Sequence, residues 1–270
     1  MNKERIPVSV LMSLYAQEQS SFLKVCLQSV VDQTVSVTEV VLVLDGPIGS
    51  ELKDCIKTYA AALPIKVVKL EENRGLATAL NFGLGFCSEE LIIRVDTDDI
   101  NYSDRFKLQY EFMEKNRDIC VSSGQVEEFT CNPNKIVSKR LIPLLHEELV
   151  VFAKRRSPMN HPAVIFRRAK IKALQGYPDI YPEDYLLWWK IILSGGKIAN
   201  LSETLVKMRT NESFFKRRGF RFLRGELKLI RFLRRQGVLS RFEFTSLVIG
   251  RFILRASPPF LRTFMYKNFR

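Results

Sequence analysis

Short segments that are almost wholly apolar alternate with helix-like segments along the first hundred residues of this 270-residue chain. The helix-like segments carry apolar residues at the three- and four-residue spacing of one buried helical face. Strands without a polar face must be covered on both sides, and helical connections allow neighbouring strands to run parallel. The pattern therefore predicts an α/β fold built on a largely parallel sheet. The predicted strands are residues 6–14, 39–44, 65–70 and 91–95. The first predicted helix starts at Ser20 or Ser21, and two further predicted helices cover residues 50–62 and 75–86.

Polar side chains follow three of these four predicted strands. Tyr15, Asp45 and Asp96 each stand directly after the last apolar residue of a strand. In open α/β sheets, ligands bind beyond the carboxyl ends of the strands, where the loops converge. The sequence therefore predicts one binding site formed by these strand exits.

The regular alternation loosens after Asp99, and the composition changes again near residue 210. A helix is predicted over residues 104–115, a strand over 119–129, a loop over 133–143, and helical segments over 146–154 and 184–194. Residues 1–208 hold 26 charges of each sign, whereas residues 209–270 hold 16 Lys and Arg against three acids and account for the whole net charge of +13. We therefore predict two parts, a folded domain over 1–210 and a basic helical extension over 211–270.

The cysteine pattern and the lengths of the apolar runs narrow the class of protein. Five cysteines are scattered without a C-x-x-C pair, which argues against a disulfide framework or a zinc site and suits a reducing cytoplasm. No uninterrupted apolar run reaches the ~18 residues of a membrane-spanning helix. Pro7, Ser9 and Ser13 interrupt the apolar start of the chain, so a first strand is predicted there rather than a signal peptide.

The segment R-V-D-T-D-D over residues 94–99 is the most informative chemical feature. Three carboxylates within four residues repel one another unless a cation offsets their charge. In extended chain, residues two apart project to the same side, so Asp96 and Asp98 could hold one ligand together. Carboxylate oxygens suit a hard divalent ion, Mg²⁺ or Mn²⁺, particularly one that also holds a diphosphate. A solvated acidic turn that caps the following helix is the alternative from spacing alone.

Residues 96–99, D-T-D-D, resemble the D-x-D-D motif of family 2 glycosyltransferases with the GT-A fold. Further stretches agree with that family in order and spacing, over about residues 6–210. They are V-S-V at 8–10 leading to Tyr15, L-V-L-D-G at 42–46, N-R-G at 73–75, and E-D at 183–184 followed by L-W at 187–188. The resemblance implies a GT-A fold, with a mixed sheet flanked by helices, and an enzyme that transfers a sugar from a nucleotide.

The resemblance also assigns the strand exits to a nucleotide-sugar donor. The implied donor-binding residues are Tyr15 and Asp45 for the base, Arg74 near uracil or phosphate, and Asp96 for the ribose. Asp98, together with Asp96, would coordinate Mn²⁺ or Mg²⁺, and Asp99 would support them. A strand-end aromatic, an Asp-Gly turn residue and a surface arginine are the plain structural alternatives for the first three.

A second acidic pair, Glu183-Asp184, opens a predicted amphipathic helix. Aspartate at a helix start is also an ordinary N-cap, so the residues alone leave both roles open. The family resemblance implies that Asp184 is the general base for the acceptor hydroxyl and that Glu183 orients the acceptor. Direct displacement would invert the anomeric centre and give a β-linked product from an α-linked donor.

Residues 157–162, S-P-M-N-H-P, resemble a subgroup that builds bacterial O-antigen and exopolysaccharide units. That subgroup implies transfer of galactose or glucose from a UDP-sugar to a HexNAc-diphospho-undecaprenol, often through a β-1,3 bond. The Q-x-x-R-W motif of processive polymer synthases is absent, which favours transfer of a single sugar. His161 and Trp188 are the implied acceptor contacts, and a purely structural histidine is the alternative for His161.

The basic extension interleaves cations with Phe and Leu. Its apolar stripe consists of Leu223, Leu227, Ile230 and Leu233, and basic clusters lie at 214–218, 221–224 and 231–235. A basic amphipathic helix of this kind is typical of a peripheral anchor on an anionic membrane. We therefore expect association with the cytoplasmic face of the inner membrane, and no nucleic-acid partner. The alternatives are packing of the stripe on the folded domain and, for the whole chain, a non-catalytic membrane or nucleic-acid adaptor.

Overall fold

The computed structural model describes residues 3–210 and 220–256. Its strands are β1 Arg5–Leu14, β2 Ser36–Leu44, β3 Ile65–Lys69, β4 Leu91–Asp96, β5 Ile100–Asn101, β6 Ile119–Phe129, β7 Ile136–Arg140, β8 Ile165–Arg167 and β9 Lys197–Arg209. Its helices are α1 Ser20–Val31, α2 Ser50–Tyr59, α3 Leu76–Leu84, α4 Arg105–Lys115, α5 His146–Ala153, α6 Arg168–Ala173, α7 Glu183–Leu193, α8 Phe220–Arg235 and α9 Arg241–Ala256. The described strands form one sheet in the order β3-β2-β1-β4-β8-β6-β9-β5, and β7 pairs with β6.

The parallel part of the sheet, β3-β2-β1-β4, is the part that the apolar segments predicted. Along β1, Val10 and Met12 belong to one core and Leu11 belongs to the other, as the two-residue period of a strand requires. Helices α1, α2 and α4 cover the first side, and α3, α5 and α7 cover the second. Both faces of this part of the sheet are therefore shielded from solvent, which explains why its strands are apolar almost throughout.

The second half of the sheet is mixed. Strand β8 runs antiparallel to both β4 and β6, while β9 runs parallel to β6. The loop predicted over residues 133–143 is wrong at its centre, because Ile136–Arg140 forms β7 along β6. This edge strand is held by polar cross-strand pairs such as Arg140 with Glu128, at 2.5 Å. Hydropathy did not reveal β7 because charge pairs, rather than an apolar face, stabilise it.

The C-terminal helices α8 and α9 pack on the domain through an apolar cluster. The residues in this cluster are Ala153, Tyr185, Leu186, Trp189, Leu229, Ile230, Leu233 and Leu239. In the stripe predicted from sequence, Leu223 and Leu233 are also buried, and Leu227 is half-buried. Packing on the domain, one of the stated alternatives, is thus what this stripe does. The basic cluster at 214–218 lies outside the described residues, and within the described ranges no helix is long and apolar enough to cross a membrane.

Candidate active site

The exits of three neighbouring strands meet at one edge of the sheet. Strand β1 pairs Leu14 with Leu44 of β2, and Ser13 with Asp96 of β4. Tyr15 and Asp45 therefore begin adjacent loops beside Asp96, as the strand order predicted. The Tyr15 side chain is 37 % exposed, whereas Asp45 is 3 % exposed.

Asp45 holds the turn that opens α3. Its Oδ1 accepts a hydrogen bond from the backbone N–H of Arg74 at 2.7 Å, and its Oδ2 accepts one from Gly75 at 3.0 Å. Gly46 has a φ of +86°, and a Cβ there would lie 2.7 Å from the backbone nitrogen of Asn73, so the two turns are in close contact. The Arg74 guanidinium is exposed and pairs with Glu72 at 3.0 Å. Roles for Asp45 and Arg74 in binding a nucleotide stay predictions.

The acidic loop, residues 96–99, is tied down from several directions. Asp96 forms an ion pair with the buried Arg94. The Thr97 hydroxyl donates to Glu18 at 2.9 Å. Asp99 Oδ1 accepts a hydrogen bond from the backbone N–H of Arg209, at the end of β9, at 2.7 Å. The loop is therefore fixed by the sheet and by its own strand rather than being a freely solvated turn.

The carboxylates of this loop carry more negative charge than their surroundings offset. Burial, followed by the charges of Asp96 and Glu18, raises the pKa of Asp98 to about 7. Burial, followed by the charges of Asp98 and Asp96, also raises the pKa of Asp99. Asp99 Oδ2 is buried without a hydrogen-bond partner. A divalent cation beside the loop would relieve this excess of negative charge, so the oxygen donors of Asp96 and Asp98 fit Mg²⁺ or Mn²⁺.

The loop does not by itself form a complete metal cage. Among the described residues, no three His, Cys, Asp or Glu side chains come together as a metal site. Ions of the Mg²⁺ type are usually bound through one or two carboxylates, and waters and substrate phosphates complete their coordination. The loop is therefore suited to a metal that arrives with a diphosphate.

Arg209 is a site residue that sequence reasoning missed. Its guanidinium lies 3.8 Å from the ring centroid of Phe22 and 4.6 Å from that of Phe129. Its Nε donates to the Asp98 carbonyl at 3.2 Å. Because these partners come from α1, β6 and the acidic loop, no local pattern in the sequence could have indicated the contact.

The acidic pair Glu183-Asp184 occupies the first turn of α7. Burial, reinforced by Asp184, raises the pKa of Glu183 to about 7. Burial also raises the pKa of Asp184, while the charge of Arg94 acts in the opposite direction. The Ser157 hydroxyl lies 3.3 Å from Asp184 Oδ2. A carboxylate with a raised pKa in a buried position is suited to accepting a proton near neutral pH.

Arg94 interacts electrostatically with both acidic groups. It pairs with Asp96, and its positive charge opposes the rise in the pKa of both Glu183 and Asp184. Its Nη1 is buried without a hydrogen-bond partner. The sequence motif included Arg94 but gave it no role, since the acidic pair lies almost ninety residues further along the chain.

His161 lies beside Tyr177 and Trp188. Its Nε2 is 3.1 Å from the Tyr177 hydroxyl, and its ring stands edge-on to Trp188 at a centroid distance of 5.9 Å. Burial, followed by the charge of Arg94, lowers the pKa of His161 well below its usual range. Trp188 is fully buried, and its indole N–H has no hydrogen-bond partner. Any effect of Trp188 on an acceptor would therefore pass through its neighbours, and both acceptor assignments stay predictions.

Comparison with known proteins decides the family. Residues 9–174 match the family described as Glycosyl transferase family 2. The chain is 38 % identical to the UDP-Gal:alpha-D-GlcNAc-diphosphoundecaprenol beta-1,3-galactosyltransferase of Escherichia coli, over 99 % of this chain and 98 % of that protein. The chain belongs to glycosyl transferase family 2. This glycosyltransferase is also 40 % identical to the amylovoran biosynthesis glycosyltransferase AmsE of Erwinia amylovora, over 83 % of this chain and 84 % of that protein.

Solved structures confirm the predicted GT-A fold, a mixed sheet with flanking helices. The mannosyltransferase PcManGT from Pyrobaculum calidifontis, in complex with GDP-Man and Mn²⁺, matches with a TM-score of 0.66 at 17 % identity, over 95 % of this chain and 72 % of that one. S. aureus TarS 1-349 in complex with UDP-GlcNAc matches with a TM-score of 0.65 at 18 % identity, over 92 % and 73 % of the two chains. The predicted enzyme class, a glycosyltransferase, is confirmed by the family.

Proposed function

We propose that this glycosyltransferase moves a hexose, galactose in the first instance, from a UDP-sugar to a HexNAc-diphospho-undecaprenol through a β-1,3 bond. The observation that carries the proposal is the meeting of two acidic groups around Arg94, one suited to a metal–diphosphate and one suited to proton abstraction. The near-full-length similarity to the E. coli galactosyltransferase supports the choice of donor and acceptor. The similarity to AmsE supports a place in polysaccharide repeat-unit synthesis.

The two acidic groups divide the work of an inverting transfer. Tyr15, Asp45 and Asp96 bind the nucleoside, with Arg74 near the uracil or the phosphates. Asp98 and Asp96, supported by Asp99, would hold Mn²⁺ or Mg²⁺, and the ion would supply Lewis-acid stabilisation of the charge on the departing diphosphate.

On the other side of the sugar, Asp184 removes the proton of the acceptor hydroxyl and Glu183 orients the acceptor. His161 contributes to this acceptor side, and Trp188 acts on it only through its neighbours. The acceptor oxygen bonds to the anomeric carbon as the bond to the UDP oxygen breaks. The product is therefore β-linked when the donor is α-linked.

A donor panel tests this proposal. Purified enzyme, Mn²⁺ and a GlcNAc-diphosphate-lipid are incubated with UDP-galactose, UDP-glucose and their N-acetyl counterparts, and the products are identified by mass spectrometry. We expect UDP-galactose to give the largest yield and Asp184→Asn to lower the transfer rate by at least about 100-fold. Preferential use of UDP-glucose would favour the glucosyltransferase of the same pathway. Absence of both UDP-sugar binding and transfer across the panel would overturn the enzymatic proposal and leave a non-catalytic adaptor.

We further propose that the enzyme associates peripherally with the cytoplasmic face of the inner membrane through α8 and α9. The exposed side of α8 presents four cations at helical spacing, namely Arg224, Lys228, Arg231 and Arg235. The exposed side of α9 presents Phe242, Ile249 and Phe252, which are 82 %, 54 % and 55 % exposed. Cations beside exposed aromatic and aliphatic side chains favour an anionic lipid surface over a nucleic acid.

Vesicle co-sedimentation tests the membrane proposal. Arg231→Glu with Arg235→Glu should weaken binding to anionic phospholipid vesicles by about 1 kcal/mol or more for each cation replaced. Lys53→Glu with Lys107→Glu, which alters exposed cations of the catalytic domain, is the matched control. Equal loss in both double variants would mean that net charge, rather than this surface, drives association.

A further inference from the structure

Helix α8 touches the backbone directly in front of the acidic pair. A Cβ built on Gly225 would lie 1.5 Å from the carbonyl oxygen of Tyr181 and 2.6 Å from its carbonyl carbon. No side chain fits at this point, so the helix backbone meets the Tyr181–Pro182 backbone directly. One turn earlier in α8, the Phe222 ring stands edge-on to the Tyr181 ring at a centroid distance of 5.3 Å.

A buried ion cluster fixes α9 to α8 at the same level. Both oxygens of Glu226 accept hydrogen bonds from Arg255, at 2.9 and 3.0 Å, and Arg251 lies 3.3 Å from Glu226 Oε1. Glu226 and Arg255 are each 4 % exposed. The Arg255 guanidinium also lies over the Phe222 ring at 4.3 Å. A bidentate pair of this kind fixes one relative position of the two helices.

The other side of the acidic pair is held by packing between helices. The Tyr185 hydroxyl and the Trp189 indole N–H, both on α7, donate to the carbonyl of Ala153 at 2.7 and 3.0 Å. Leu229, Ile230 and Leu233 of α8 complete this cluster. The start of α7 is therefore held between α5 and α8.

We propose that the α8–α9 pair is a positioning element for the transfer reaction, in which Gly225, Phe222 and Glu226 fix the place of Glu183-Asp184. The inference rests on the proposed function, in which Asp184 is the base. The described hydrogen bonds of the Asp184 carboxylate come from the Ser157 hydroxyl at 3.3 Å and from the backbone of Asp184 and Tyr185. The position of this carboxylate therefore follows that of the first turn of α7 and of the backbone that leads into it. A displacement of about 1 Å in a reacting group can cost about 100-fold in rate.

Gly225→Ala tests the inference, because it forces α8 and the Tyr181 carbonyl apart. We expect kcat to fall by about 100-fold while the Kd for UDP stays unchanged, because no described contact joins α8 to the strand exits. Gly250→Ala is the matched control, since it lies in the middle of α9 and a Cβ there would meet nothing within 4 Å. The control should keep the kcat of the wild type.

A purely structural role for Gly225 would reduce the amount of folded enzyme without changing kcat per UDP-binding site. Active sites are therefore counted by UDP titration before kcat is calculated. If Gly225→Ala does not fold, Phe222→Leu removes the ring contact without adding atoms and is judged by the same criterion. Wild-type kcat per site in the variant that folds would overturn the inference.

Amide hydrogen exchange over residues 181–187 provides a measurement that does not depend on transfer. Exchange should accelerate in Gly225→Ala and stay unchanged in Gly250→Ala. A wild-type enzyme that transfers no hexose would overturn the proposed function, whereas unchanged exchange in Gly225→Ala would overturn the positioning role alone. The two failures are thus distinguishable.

Discussion

The two acidic groups of the site are held in different ways. The acidic loop at 96–99 is fixed from the sheet, through Arg209 at the end of β9 and through its own strand neighbour Arg94. The pair at 183–184 is fixed from outside the sheet, by helices α5 and α8. Strand topology therefore positions the proposed donor side of the site, whereas helix packing by a distant part of the chain positions the proposed acceptor side.

The largest effects are expected from substitutions in the two acidic groups, one of which should lower kcat and the other UDP binding. Asp184→Asn should lower kcat by a factor of about 10²–10⁴, because the acceptor proton loses its base, and should leave Mn²⁺-dependent UDP binding unchanged. Asp98→Asn should weaken that binding, because the proposed metal ligand loses its charge. Calorimetric titration with UDP and steady-state kinetics measure both quantities. Equal weakening of UDP binding in the two variants would break the proposed division.

The anchoring of the acidic loop can be tested through Arg209. Arg209→Lys keeps a positive charge but loses the planar group that contacts the rings of Phe22 and Phe129. We expect a loss of about 1–2 kcal/mol in the free energy of unfolding and a raised KM for the donor. Arg224→Lys, at an exposed position, is the control. A normal donor KM in Arg209→Lys would mean that the loop holds its shape without this contact.

The acidic pair should make the free energy of unfolding depend on pH. The pKa of Glu183 is raised to about 7 in the folded protein. At pH values between the ordinary pKa of a glutamate and about 7, the folded state therefore binds more protons than the unfolded state. The stability of the wild type should therefore fall as pH rises through that window.

Glu183→Gln removes this cost and should be more stable than the wild type by about 1–3 kcal/mol at pH 8, with a smaller difference at pH 5. Urea unfolding at the two pH values measures the effect. Glu148→Gln, an exposed acid in the first turn of α5, should show no such trend. An equal gain in both variants would argue against burial as the cause.

The smallest effect is expected at Arg74. Its guanidinium is exposed and its ion pair with Glu72 is solvated, so Arg74→Ala should change the free energy of unfolding by less than about 0.5 kcal/mol. If it contacts the uracil or the phosphates of the donor as proposed, the donor KM should still rise. Thermal denaturation and donor titration distinguish the two quantities. A large loss of stability would show instead that the side chain supports the turn after β3.

The sequence was sufficient for features that follow from strand order. Apolar segments predicted the parallel half of the sheet, and the residues that follow them predicted where Tyr15, Asp45 and Asp96 meet. The sequence was insufficient where distant segments make the decisive contact. Neither the stacking of Arg209 nor the contact of Gly225 with Tyr181 leaves a local pattern.

The basic extension shows a second limit of sequence patterns. Helical spacing of Leu and Ile indicates an apolar face but does not say what covers it. In α8 that face packs on the catalytic domain, and the exposed apolar side chains lie on α9 instead. Composition alone could not assign the two faces, because both helices are rich in Arg and in aliphatic residues.

The dimensions of helix α8 also bear on the distance between the site and the membrane. Its exposed cations, from Arg224 to Arg235, extend about 16 Å along an axis that rises about 1.5 Å per residue, and the helix itself is only about 10 Å thick. Gly225 meets the segment before the acidic pair on the packed side of the same helix. Gly225 lies about a quarter turn around the helix from these cations. With the charged side resting on lipid headgroups, the proposed base would therefore stand within roughly one helix thickness of the leaflet. The distance from the membrane at which a lipid-linked sugar is accepted would then be set by the rigid helix α8 rather than by the length of a flexible linker.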